Sequence, residues 1–209
     1  MTHHLHTVFS DGRDQPEAML EAALAKGWPA LGFSDHGPVE GESWCMKESD
    51  LDRYLATLAS LRRQYAGRIE VYTGLELDWS EHHGLVPDTR LEYWIGSFHF
   101  FEENGRRFAI DGNLDMVRET LAVAARGDGR RFAERYYRGL TEMVRTACPP
   151  VLGHLDLLKK QNAQLGLFDP GDTWYRSLVS VTLDAIAETG CIVEVNTGGM
   201  ARSGHNEPY

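Results

Sequence analysis

His4 and His6 stand two residues apart near the start of the chain, and an imidazole pair at that spacing can grip one cation. In an extended segment, residues two apart point to the same side, so both rings would approach the ion together. Further along come His36, Glu76, His99 and His154, each at the end of a short apolar run. Taken singly, each reads as an ordinary strand-end residue. Taken together, five successive runs end in His, His, Glu, His and His. Neutral imidazole with carboxylate is a donor set for Zn, Mn or Fe, not for a thiolate site or for Ca. Asp11, in Ser10-Asp11-Gly12, follows the first run closely enough for a loop carboxylate to join the group. By itself it would be an Asp-Gly turn. His82, His83 and His205 fall in expected loops; His82 and His83 read as solvated, and His205 falls near a possible substrate mouth with no specific feature to support a role.

The elements that must position these residues alternate between strand and helix. Apolar runs are expected at residues 3–6, 30–33, 69–75, 93–98, 151–153 and 191–195. Helices are expected from Pro16, suited to a first turn, to Lys26 before Gly27, and from a Ser49–Asp52 capping box to about Ala66. Two more, one capped by Asn113 and one over 131–147, make residues 100–149 a helical insertion. A last helix, capped by Asp172, is expected to reach Thr189 and stop at Gly190. Strands separated by helical crossovers point to an α/β fold with a parallel sheet, open or closed into a barrel. Such folds place their sites at the carboxyl ends of the strands, where these histidines fall.

Composition bounds the partners. The chain has 209 residues, 42% hydrophobic and 25% charged, which suits one globular domain. Its formal net charge of −10 disfavours a nucleic-acid partner held by overall field. Cys45, Cys148 and Cys191 form no CxxC pair, which suggests a reducing compartment. No run reaches the ~18 apolar residues of a membrane span, and residues 1–6 lack the pattern of a signal peptide. The expectation is a cytoplasmic protein with no membrane partner.

The ordered stretches resemble the PHP (polymerase and histidinol phosphatase) superfamily, and more closely its histidinol-phosphatase branch. They are His4-Leu-His6-Thr7, Phe33-Ser34-Asp35-His36, Gly74-Leu75-Glu76-Leu77-Asp78, Gly96-Ser97-Phe98-His99-Phe100, Gly153-His154-Leu155-Asp156 with Lys159-Lys160, and Glu194-Val195-Asn196-Thr197-Gly198-Gly199. The resemblance implies a distorted seven-stranded (β/α) barrel carrying up to three divalent metals, Zn, Mn or Fe. His4 and His6 would hold the first metal, Glu76 would bridge it to a second held by His99 and His154, and Asp11 and His36 would hold the third.

The implied reaction is hydrolysis of a small phosphomonoester, L-histidinol phosphate, in histidine biosynthesis. The implied nucleophile is a metal-bound hydroxide, not a side chain. No Ser-His-Asp order or Cys motif competes with that reading. Arg202 and Lys160, or Lys159, are the candidate phosphate ligands. Asp78, Asp156 and Asn196 are candidates to orient the metal ligands. The family pattern continues to a final strand ending in Asp-x-His, and that tripeptide occurs nowhere in this sequence. The expectation is therefore a C-terminally incomplete domain over 1–209 that lacks the last strand and binds fewer than three metals tightly. The competing readings are another PHP phosphoesterase, and a non-catalytic metal-binding form that assembles with another chain.

Overall fold

The computed structural model describes residues 2–201, with the side chain of Ala201 outside the description. The chain divides into two compact units, Met1–Asp78 with Pro87–Ile95, and Trp79–Val86 with Gly96–Tyr209. A five-stranded sheet of order β1-β2-β3-β6-β7 runs through the chain. Strand β3 (Tyr93–Ser97) begins in the first unit and ends in the second.

In the first unit, helix α1 (Pro16–Ala25) starts at its proline and gives way to Gly27 at φ 70°, as the sequence predicts. Strand β1 (Ala30–Phe33) is buried along its whole length. It pairs in parallel with β2 (Glu70–Asp78), from Ala30↔Glu70 to Phe33↔Thr73. The register continues past the end of β1 into an isolated bridge that sets His36 opposite Glu76. Glu76 thus lies within a strand rather than past its end.

Helix α2 (Leu51–Gln64) buries Tyr54, Leu58 and Leu61, four and three residues apart, the spacing of one helical face. The expected Ser49 cap does not form. A 3-10 turn over Glu48–Asp50 takes up those residues, and no side chain caps the helix. Residues 3–6 are not a strand either. Their backbone runs beside β1 through Gly32 N–H to Thr2 O (3.0 Å) and Ser34 N–H to Leu5 O (2.9 Å), too sparse a set for a ladder.

In the second unit, residues 100–109 fold as an antiparallel hairpin, β4 (Phe100–Glu103) with β5 (Arg106–Ala109), not as part of a helical insertion. The turn is Asn104-Gly105, both left-handed at φ 52° and 73°. That is the pairing a tight hairpin turn favours, and it was present in the sequence as a signal. Helix α3 (Leu114–Ala124) follows, and the Asn113 side chain accepts from the N–H groups of Asp115 and Met116 as expected. Helix α4 (Gly129–Ala147) is capped in the same way by Asp128.

Helix α4 buries Phe132, Tyr136, Leu140, Met143 and Val144 in the core that also holds Phe98, Phe101 and Leu152. Strand β6 (Val151–Leu152) then pairs in parallel with β7 (Ile192–Val193). Between them lie a 3-10 turn (Leu157–Gln161), the short α5 (Asn162–Leu165) and α6 (Thr173–Thr189). Asp172 precedes α6, but its carboxylate accepts from the Trp174 indole (2.9 Å) instead of capping. No helix among the described residues is long and apolar enough to cross a membrane.

Gly139 shows how tightly α4 meets the residue before His99. A Cβ there would lie 2.3 Å from the Phe98 ring, and Phe98 is fully buried. An alanine normally favours a helix over glycine by ~0.5–1 kcal/mol. Here overpacking outweighs that gain. We expect Gly139→Ala to destabilise by about 1–3 kcal/mol, read as a lower midpoint in urea unfolding. A raised midpoint would contradict this packing.

Candidate metal centre

Glu76 is the focus of the first unit. Its side chain is fully buried, and one of its oxygens, Oε2, lies 3.1 Å from His4 Nε2, 3.0 Å from His6 Nε2 and 3.1 Å from His36 Nδ1. The sequence reaches this geometry from three places. β2 delivers Glu76, the β1 register delivers His36, and the segment beside β1 delivers His4 and His6.

Three ring nitrogens around one carboxylate oxygen exceed its two lone pairs, so hydrogen bonding alone does not account for the cluster. A divalent cation does, because it accepts the imidazole lone pairs and the carboxylate together. Donor atoms of His6, His36 and Glu76 all lie within 4.8 Å of one another, as a shared ion requires.

The supports of this group are themselves held. His6 Nδ1 lies 2.8 Å from Asp11 Oδ1, which orients the ring and turns Nε2 toward Glu76. Asp11 thus sits against His6 in this structure, where the family resemblance pairs it with His36. The 7–11 turn is fastened by Asp35, a fully buried carboxylate missed as a functional residue in the sequence. It accepts from Thr7 N–H (2.7 Å), the Thr7 hydroxyl (2.9 Å) and the Ser10 hydroxyl (2.6 Å). Gly12 closes that turn where only glycine fits, since a Cβ would come within 2.2 Å of the His6 carbonyl oxygen. Trp44 packs its ring edge-on against His36, centroids 4.4 Å apart.

Charge follows the same geometry. Burial pulls the His6 pKa down, but the carboxylates of Asp11 and Glu76 outweigh it and lift it to about 9. Burial alone would raise Asp11, and the bond to His6 reverses that and holds it below its ordinary value. Asp35 is pushed up by burial, against its hydroxyl and amide donors.

The second unit holds its own imidazole pair. His99 and His154 are buried, with their Nε2 atoms 3.2 Å apart. His99 is fixed at its backbone, where its carbonyl accepts from Ile110 N–H (2.8 Å). The His154 carbonyl accepts from the Tyr136 hydroxyl (3.1 Å), and its N–H donates to Glu194 (2.7 Å). The Asn196 amide donates to the same Glu194 oxygen (3.1 Å). Asn196 therefore acts on His154 through Glu194.

Asp156 instead accepts from the Tyr137 and Tyr175 hydroxyls and from Lys159 Nζ (2.6 Å). Lys160 is paired with Asp111 at 2.5 Å. Burial would raise Asp111, but Lys160 beside it, with smaller help from His99 and His154, holds it below the usual carboxylate range. Arg202 lies outside the described residues, as does His205.

The fold is α/β, and its buried imidazole and carboxylate groups form a donor set for a divalent metal ion. Its family is specific: the chain belongs to the PHP domain family, whose model matches residues 2–198. It is similar to the histidinol-phosphatase of Bacillus subtilis (strain 168), 27% identical over 222 residues that cover 96% of this chain and 81% of that one.

Two solved structures share the fold. One, from Listeria monocytogenes, has a TM-score of 0.83 at 18% identity, covering 99% of this chain and 85% of that one. The other is the Lactococcus lactis histidinol phosphate phosphatase complexed with zinc, L-histidinol and phosphate. Its TM-score is 0.66 at 18% identity, covering 93% and 72%.

A raised His6 pKa sets a pH dependence. In the metal-free chain the protonated ring is the stabilised form. That stability is fully present below the unfolded value of 6.5 and is lost as pH rises through about 9. Thermal unfolding in chelator should therefore show a lower Tm at pH 9 than at pH 6.5, with the difference shrinking in His6→Gln. A Tm that rises over this interval in a His6-dependent way would contradict the assignment.

Proposed function

We propose that the chain is a metal-dependent phosphomonoester hydrolase acting on L-histidinol phosphate, releasing L-histidinol and phosphate in histidine biosynthesis. The observation that carries this reading is the convergence of His4, His6 and His36 on the buried Glu76, in a PHP-domain chain related along 96% of its length to a histidinol-phosphatase. In this reading residues 1–209 act as a single phosphatase domain with a distorted PHP-type (β/α) barrel. Its metals, up to three of Zn, Mn or Fe, are held by His4, His6, Asp11, His36, Glu76, His99 and His154.

Bound divalent metal supplies an acidified water and neutralises phosphoryl oxygens. The chain's own residues do the rest. Glu76 fixes the imidazoles around one point. Asp11 keeps the His6 proton on Nδ1, so that Nε2 faces inward. Asn196 and Glu194 hold the His154 backbone. Lys160 and Arg202 are the proposed phosphate ligands, and a cationic side chain is the group that recognises an anionic ester. A small substrate also suits the acidic chain, whose formal charge of −10 would repel a polynucleotide.

The test is phosphate release from L-histidinol phosphate with Mn²⁺ or Zn²⁺ present. Release is expected from the wild-type chain, and its loss is expected in His99→Ala and in chelator. Release that survives both treatments would overturn the reading.

A further inference from the structure

Lys160 does not reach its position alone. Its ammonium lies 2.5 Å from Asp111 Oδ2, with the two side chains 19% and 18% exposed. Both partners grow from backbone that also carries the paired histidines. The β4–β5 register sets Ala109 opposite Phe100, and Ile110 N–H bonds the His99 carbonyl, so Asp111 is the next residue beyond His99's partner. On the other side, Leu157 N–H bonds the His154 carbonyl (3.1 Å), and the 3-10 turn that starts there ends with Lys160 and Gln161. Gln161 Nε2 donates to the Gly112 carbonyl (2.7 Å), so the same two backbone stretches are already tied by an uncharged bond.

A partly buried ion pair is a weak stabiliser, since desolvation offsets much of its attraction. A second, uncharged tie makes the pair unnecessary as a mere fastener. An ammonium has three donors and Asp111 occupies one, which leaves two for another acceptor. We propose that Asp111 is a positioning residue for phosphate recognition. It holds the Lys160 ammonium in place beside the His99–His154 pair, so that two of its N–H donors are presented to the phosphate of the substrate. This rests on the phosphatase reading above, with Lys160 as phosphate ligand. Asp111 itself touches no substrate in this account.

The experiment uses the metal-loaded full chain and inorganic phosphate as the probe, in four forms: wild type, Asp111→Asn, Lys160→Met and the double variant. Phosphate affinity should fall about 3–10-fold in Asp111→Asn and about 10-fold or more in Lys160→Met, the size expected for a charged hydrogen bond. The double variant should bind no more weakly than Lys160→Met alone, because Asp111 acts only through Lys160. Asp111→Glu should restore most of the affinity, which separates positioning from a folding defect. With substrate, KM should rise in Asp111→Asn while kcat changes little.

Full additivity in the double variant, or an Asp111→Asn chain with wild-type phosphate affinity, would overturn the proposal. Failure of the phosphatase reading would look different. The wild-type chain would then release no phosphate from L-histidinol phosphate, whatever the pattern of phosphate binding.

Discussion

A buried carboxylate must be paired, and Glu76 is met by three imidazoles. That choice governs the first unit. An ammonium or guanidinium would neutralise Glu76 permanently. Imidazoles can give up their protons, and a cation can take the place those protons leave. The β1–β2 register, which seats His36 opposite Glu76, and the tight Asp11-Gly12 turn under His6 both serve that arrangement. So does Asp35, whose three short bonds keep the turn from swinging away.

The second unit solves a similar problem by other means. His99 and His154 lie against one another, with their Nε2 atoms 3.2 Å apart. They are fixed through their backbones, by the hairpin on one side and by Tyr136 and Glu194 on the other. The dense aromatic packing of Phe98, Phe101, Phe132 and Tyr136 holds the backbone that leads into His99. The acidic composition fits this plan. Paired carboxylates such as Asp11, Asp111 and Glu194 are each assigned to a particular partner and do not form a diffuse negative surface.

Much of this was legible in the sequence because the ligands sit where apolar runs stop. The runs ending at His36, His99 and His154 are local signals, and each became a strand with its histidine just beyond. The donors His4, His6 and Glu76 were equally visible as residue types, although residues 3–6 lack the ladder of a strand. What escaped was long-range. Asp35, Asp111 and Glu194 draw their roles from partners 25 or more residues away, and no periodicity reports such a pairing. The hairpin over 100–109 escaped for a different reason. Its Asn-Gly turn was a short local signal set inside a stretch read for helix.

The central claim is that Glu76 organises a metal site, and its most direct test is metal content. The purified chain is equilibrated with zinc, dialysed to low free metal and measured by elemental analysis beside Glu76→Gln, with circular dichroism to confirm that both remain folded. The account predicts that the wild-type chain retains zinc and that the folded Glu76→Gln chain retains less by at least one ion. Equal zinc in the two folded chains would contradict it.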